Sequence, residues 1–308
     1  MAGVVSEGTS GPVGALAVDI GGTKMAAGIV DGAGALRVSA RTATPTDREP
    51  EAVFAPLATL VDDVLVEGRR LGVAVDVCGV GCGGPMARGG EAVSPLNIEG
   101  WRDFPLRRRL AERSGLPTFV DNDAKALALG EGWRGAARGT DSFLAMVVST
   151  GVGGGVVLEG RLLDGHSGNA GHIGHVIVEP DGHACACGAR GCLEAEASGT
   201  AIAATTGRPA AEAEPELRIR VGRLVGRAVA SVANLLDLRL AVVAGSVALG
   251  FGADFFEAAQ AELDRSARLD FSLGARLSPA GLGADGPLVG AAAVGFAGLG
   301  HPVLRGHR

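Results

Sequence analysis

Three short stretches of this chain place reactive or ligating side chains at spacings that could do chemistry. The first is DIGGTK, Asp19 to Lys24. Adjacent glycines behind the apolar run ALAVDI let backbone N–H groups turn toward an anion, Thr23 adds a hydroxyl donor, and Asp19 can hold a cation or its water near phosphates. Taken alone, a Gly-Gly after a strand is more often a tight turn. Two further glycine turns, STGVGGG (149–155) and AGSV (244–247), also follow apolar runs. Three such turns fit one nucleotide held by Asp19, Gly21, Gly22, Thr23, Lys24, Thr150, Gly151, Gly153 and Gly245. The pattern is not G-x-x-x-x-G-K-[ST], so P-loop chemistry is not implied.

The second stretch is VDNDA, Val120 to Ala124, in front of the helix-like AKALALGEGW. Asp123 there is a helix cap on the plain reading. On the functional one it is a general base within reach of a primary hydroxyl, with Asn122 orienting a sugar through its donor–acceptor amide. Phosphoryl transfer asks the protein mainly for positioning, so one such base suffices.

The third stretch, 171–194, reads GHIGHVIVEPDGHACACGARGCLE. His175, Cys185, Cys187 and Cys192 form a Cys₃His set suited to a closed structural zinc site, which leaves no open position for an activated water and so counts against a zinc hydrolase. His183 is a rival ligand, set back by lying so near Cys185. Cys78 and Cys82 read as small core residues.

The rest of the chain must position these groups. Its 308 residues, 47% of them hydrophobic, suffice for one large or two modest domains. A net charge of −6 argues against nucleic-acid and membrane-surface partners. The densest basic run, Arg107, Arg108 and Arg109, reads as a solvated helix face. Residues 1–13 read as a flexible tail with no signal-peptide pattern, and no apolar run reaches the roughly 18 residues of a membrane span. With five cysteines, three of them crowded together, the chain is expected to be cytoplasmic.

Strands are expected at 15–20, 24–31, 35–43, 76–83, 118–120, 143–150 and 240–248, with a hairpin after 152 and amphipathic helices over 51–70 and 216–236. Two α/β halves, each opening on a strand and a glycine turn, predict a duplicated architecture around a cleft. The expected division is an N-terminal α/β domain at 14–125, completed by an apolar helix near 287–299, and a C-terminal α/β domain at 126–286.

The three stretches, in this order, resemble the ROK family (repressor, open reading frame, kinase) from Ala15 to about Gly298. The resemblance implies the actin-like ATPase fold with two ribonuclease-H-like domains, ATP and Mg²⁺ in the cleft, and a small-molecule sugar below the γ-phosphate. It implies Asp123 as base on the sugar 6-hydroxyl, Asn122, His175 and Glu194 as further sugar contacts, and Gly84 and Asn97 in the sugar pocket. His175 would serve both zinc and sugar. Relatives of this kind are commonly dimers or tetramers, so a homo-oligomer is expected. Repressor members carry a helix-turn-helix domain before the phosphate loop; here about fourteen residues precede it, which favours a kinase over a sugar-sensing regulator without catalysis. Glucokinases of the family read A-G-E-x-G-H where this chain reads AGHIGH, so His172 stands at a glutamate position. Together with VSTGVGGGVV and AGSV, this is more similar to the family's N-acetylmannosamine kinases, and an imidazole donor facing C2 could meet an N-acyl carbonyl. The resemblance therefore implies ATP-dependent phosphorylation of a hexose or N-acylhexosamine, N-acetylmannosamine ahead of glucose.

Overall fold

A computed structural model describes residues 14–304, so the tail expected at 1–13 lies outside the described residues. The chain opens as β1 (Gly14–Ile20), β2 (Lys24–Asp31), β3 (Leu36–Ala43), α1 (Pro50–Arg70), β4 (Val77–Cys82), α2 (Leu106–Ser114), β5 (Thr118–Asn122) and α3 (Asp123–Arg134). It continues through β6 (Phe143–Val148), β7 (Val152–Leu158), β8 (Arg161–Leu162), α4 (Leu193–Ala197), α5 (Gly199–Thr206) and α6 (Pro215–Leu236). The last elements are β9 (Leu240–Ala244), α7 (Ser246–Phe251), α8 (Ala253–Ser266), β10 (Arg276–Pro279) and α9 (Gly286–Gly298).

The two five-stranded sheets have the same topology. The first runs β3-β2-β1-β4-β5 and the second β8-β7-β6-β9-β10. In each, the first three strands form an antiparallel meander and the last two join the first in parallel. The duplication expected from the paired glycine turns is therefore present at the level of strand order.

Alternation along the strands decides what covers each face. Leu16, Val18 and Ile20 of β1 pack with Phe54, Leu57 and Val61 of α1. Ala15 and Ala17 face the other way, toward Ala291, Ala292 and Phe296 of α9. The approach of α9 is close: a Cβ on Gly79 of β4 would lie 2.0 Å from the Ala291 carbonyl oxygen. In the second sheet Leu144, Met146 and Val148 meet α6 and α8, whose backbones touch where Gly222 and Gly226 face Phe255 and Ala259. Fully burying a side chain such as Phe255 contributes about 1.5–3 kcal/mol.

Helix α3 lies between the sheets. Ala126 and Leu129 belong to the core under the first sheet, Leu127 and Ala128 to that under the second. Glu131, fully buried on the same helix, accepts from the backbone N–H groups of Ala136 (2.7 Å), Gly281 (2.9 Å) and Leu282 (3.1 Å). One carboxylate thus ties the chain leaving α3 to the chain leading into α9.

Three readings need correction. The strand expected at 240–248 stops at Ala244, because Gly245 turns the chain sharply into α7. Helix α8 and strand β10 were not anticipated. The arginine run is also not simply a solvated face: Arg109 pairs with Glu51 and lies over the Phe54 ring, Arg107 pairs with Glu91, and the next turn's Arg113 pairs with Asp62, so α2 is clamped to α1. Cys78 and Cys82 are fully buried, as core residues should be. Among the described residues no helix is long and apolar enough to cross a membrane.

Candidate active site

Strands β1, β4 and β5 are parallel, so their carboxyl ends lie together, where open α/β sheets bind ligands. The register sets Asp19 beside Gly81 and Gly81 beside Asp121. Asp19 and Asp123 approach each other across that glycine. Burial first, and then the Asp123 charge, push the Asp19 carboxyl up from 3.8 to about 7, against the pull of Lys24. Burial likewise raises Asp123, opposed by the Ala124 N–H, its own backbone N–H and the nearby His172. Two buried acids with one lysine for balance suit a site that receives a cation with its ligand.

The DIGGTK turn is held from below. The Gly21 N–H donates to the Lys24 carbonyl (3.0 Å), so it is taken up inside the turn, and the Thr44 hydroxyl donates to the Gly21 carbonyl at 2.7 Å. Thr23 and Lys24 are exposed beyond it. Gly22 is glycine for want of room: a Cβ there would lie 2.5 Å from the Cβ of Asn97. The phosphate-type loop and the loop carrying Asn97 are therefore in direct contact. Arg102 braces the latter, its Nη1 donating to the carbonyls of Pro95, Ile98 and Trp101.

The second sheet repeats the arrangement. Parallel β6 and β9 end side by side at Val148 and Ala244, and their loops are joined by a 2.9 Å contact between the Ser149 and Ser246 hydroxyls. Thr150 is fixed through its carbonyl, which accepts from the backbone N–H and the hydroxyl of Thr200. Gly245 has φ 103°, and a Cβ would fall 2.2 Å from the Val148 carbonyl oxygen. Gly153 differs from the other nucleotide candidates. It lies inside β7 opposite Val147, with its missing Cβ admitting Ala124 of α3 at 3.0 Å, and packing accounts for it.

The polar residues of the opposite side converge on the start of α3. Asn122, not Asp123, is the N-cap: its Oδ1 accepts the Ala124 N–H at 3.0 Å, and Asp123 Oδ1 approaches the same N–H at 2.9 Å. Gly84 lies against both neighbours, a Cβ there standing 3.5 Å from Asn122 Nδ2 and 4.0 Å from His172 Cε1. The His172 and His175 rings are 6.0 Å apart. Burial and then the His175 charge lower the His172 pKa, outweighing Asp123 and Glu194, so the imidazole is neutral at neutral pH, with one N–H donor and one acceptor. Glu194 Oε2 accepts the Val152 N–H at 2.9 Å, and a Cβ on Gly151 would meet that oxygen at 2.9 Å. This link, joining α4 to the glycine turn after β6, is not legible from spacing.

The ligating atoms of His175, Cys185, Cys187 and Cys192 all lie within 4.8 Å of one another. Cys187 Sγ is 3.7 Å from Cys192 Sγ, and His175 Nδ1 is 3.8 Å from Cys185 Sγ. Zinc–sulfur bonds of about 2.3 Å require tetrahedral edges of about 3.8 Å, so donor set and spacing both fit zinc. His183 is engaged elsewhere, its Nδ1 2.9 Å from Glu196 Oε1 and its N–H bonded to the same oxygen. Glu196, fully buried, also accepts from Arg220 Nη2 at 2.7 Å.

The family model described as "ROK family" matches residues 15–295. An N-acetylmannosamine kinase from Citrobacter koseri is 38% identical over 252 residues, covering 77% of this chain and 84% of that one. Among solved structures, a ROK hexokinase from Thermus thermophilus superposes with a TM-score of 0.80 at 36% identity, over 93% of this chain and 99% of that one. A ROK family glucokinase from Streptomyces griseus, in complex with glucose and AMPPNP, gives 0.79 at 30% identity over 92% and 99%. Strand order, glycine turns, the cysteine segment and these likenesses agree: the chain has the actin-like ATPase fold and belongs to the ROK family.

Proposed function

We propose that the protein is an ATP-dependent sugar kinase that phosphorylates the 6-hydroxyl of a hexose or N-acylhexosamine, with N-acetylmannosamine preferred to glucose. The observation that carries the reading is the placement of Asp123. It opens α3 beside Asn122 and His172, faces Asp19 across Gly81, and is buried enough to raise its basicity. A carboxylate so placed takes the hydroxyl proton as the oxygen attacks, and Asn122 orients the acceptor. Gly84, Asn97, His172, His175 and Glu194 contribute the remaining sugar contacts.

ATP occupies the space between the DIGGTK turn and the loops at Thr150–Gly151 and Gly245, with Asp19 toward Mg²⁺ or its water. The two sheets with their helices act as domains, 14–125 with 287–299 and 126–286, flanking this cleft. The zinc quartet is structural and keeps His175 and Glu194 in register. The neutral His172 ring donates to an N-acyl carbonyl at C2, a group that glucose lacks. The C. koseri relative supports this choice of sugar. Glucose is the second reading, favoured by the S. griseus glucokinase complex.

The test is a coupled assay of ADP release with ATP, Mg²⁺ and N-acetylmannosamine, glucose, mannose, glucosamine or N-acetylglucosamine. N-acetylmannosamine is expected to give the highest kcat/KM. Glucose as best substrate would keep the kinase and discard the role given to His172. No turnover on any sugar would overturn the kinase reading.

A further inference from the structure

We infer that Lys125 is a positioning residue that fastens the loop leading into His172 to the turn of α3 that opens with Asp123. The inference rests on the sugar-site reading given above. Lys125 is one of only two lysines in the chain, and its side chain is 3% exposed. Its ammonium has three N–H donors and three acceptors around it: Asp121 Oδ1 at 2.9 Å, Asp164 Oδ1 at 2.7 Å and the Gly168 carbonyl oxygen at 3.2 Å. Asp121 sits at the end of β5 in the first half. Asp164 and Gly168 come from the second half, in the segment after β8.

That segment closes on itself, the Ala170 N–H donating to the Asp164 carbonyl at 3.0 Å, so holding Asp164 and Gly168 holds 164–170 as a unit. Asn169 Nδ2 reaches the Met86 carbonyl at 3.5 Å, in the loop that begins at Gly84. The chain then passes through Gly171, whose φ of 101° and 2.3 Å Cβ approach to the Gly154 carbonyl leave it one path, and delivers His172. The base and the candidate specificity residue thus hang from one helical turn, Asp123 directly and His172 through the ammonium two residues on. Burial works against the Lys125 charge, but Asp121 and Asp164 outweigh it, and the group stays an ammonium at working pH.

The experiment uses two variants of the full chain. Lys125→Met removes the tether but leaves the half-buried Asp121 carboxylate without its cation and is expected to cost stability. Asp164→Asn keeps the Lys125–Asp121 pair and weakens only the loop's arm, at a side chain that is 59% exposed. Asp164→Asn is expected to raise the sugar KM roughly 10-fold, leave the ATP KM within about twofold, and speed amide exchange across 164–176 at an unchanged Tm. Lys125→Met should show the same pattern, larger. A sugar KM within about twofold of wild type in Asp164→Asn, or equal rises in both KM values, would overturn the positioning role. If the wild type turned over no sugar, the kinase reading would fail separately, and unchanged exchange at 164–176 in both variants would then sink the tether itself.

Discussion

Asp19 and Asp123 stand on the two flanks of Gly81: a Cβ built on that glycine would lie 3.8 Å from Asp19 Oδ1 and 3.5 Å from the Asp123 Cα. Parallel register brings the end of β1 and the start of α3 to one place. Burial displaces both carboxyls upward, and the Asp123 charge adds to the rise of Asp19.

The displacement of Asp19 has a sign that can be read in stability. Its pKa is 3.8 when unperturbed and about 7 in the fold, so the folded state binds the proton more tightly. The stabilising contribution, on the order of 4 kcal/mol, is complete below pH 3.8 and is lost as pH rises through about 7. Asp19→Asn, with no charge to bury, is expected to melt above the ligand-free wild type at pH 8, by about 2–4 °C per kcal/mol recovered. The gap should narrow toward pH 5 in scanning calorimetry. A gap that widens on acidification would refute the assignment.

Asp123→Asn tests the base. Sugar affinity should change little while kcat falls by about 10² or more. Because Asp123 must be ionised to work and its pKa is raised, wild-type kcat/KM should drop with acidification while the pH is still above the ordinary carboxylate value. The variant's residual rate should lack that limb. Unchanged turnover would exclude Asp123 as base.

Removing the metal should act on sugar binding. Cys187 is the exposed member of the quartet. Cys187→Ser, or chelation of the wild type, is expected to release zinc and speed amide exchange over 171–194. The sugar KM should rise more than the ATP KM, since His175 and Glu194 sit in or directly behind the knot. Full activity with zinc lost, or one retained zinc per chain in Cys187→Ser, would count against a structural metal at this quartet.

Gly245→Ala probes the turn after β9. The positive φ costs an alanine about 1–2 kcal/mol, and the 2.2 Å clash with the Val148 carbonyl adds displacement of β6 or α7. Both the denaturation midpoint and ATP affinity are expected to fall. ATP affinity equal to wild type would separate this turn from the nucleotide site.

Much of this was legible in the sequence because the signals are local. Alternating or continuous apolar runs marked β1, β2, β4 and β6, and helical spacing marked α1 and α6 to within a residue or two. The cysteine spacing identified the four residues that do come together. The spacing of Asn122 and Asp123 indicated a helix start, though Asn122 took the cap ascribed to Asp123. Boundaries failed where one residue carries the break, as at Gly245, and the arginine run misled because the partner of Arg109, Glu51, lies 58 residues away.

The sequence by itself therefore determined the types of the strongly patterned elements, the glycine turns and the grouping of His175 with the three cysteines, since each depends on backbone conformation or side-chain spacing within a few residues. Only the tertiary structure decided the repeated strand order, the facing of Asp19 and Asp123 across Gly81, the contact of Gly22 with Asn97, the bond from Val152 to Glu194 and the three acceptors around Lys125. Apart from the Lys125–Asp121 pair, which is local, those contacts join segments tens of residues apart. They exist because parallel strands align their carboxyl ends and α3 is shared by two cores, conditions that no local pattern encodes.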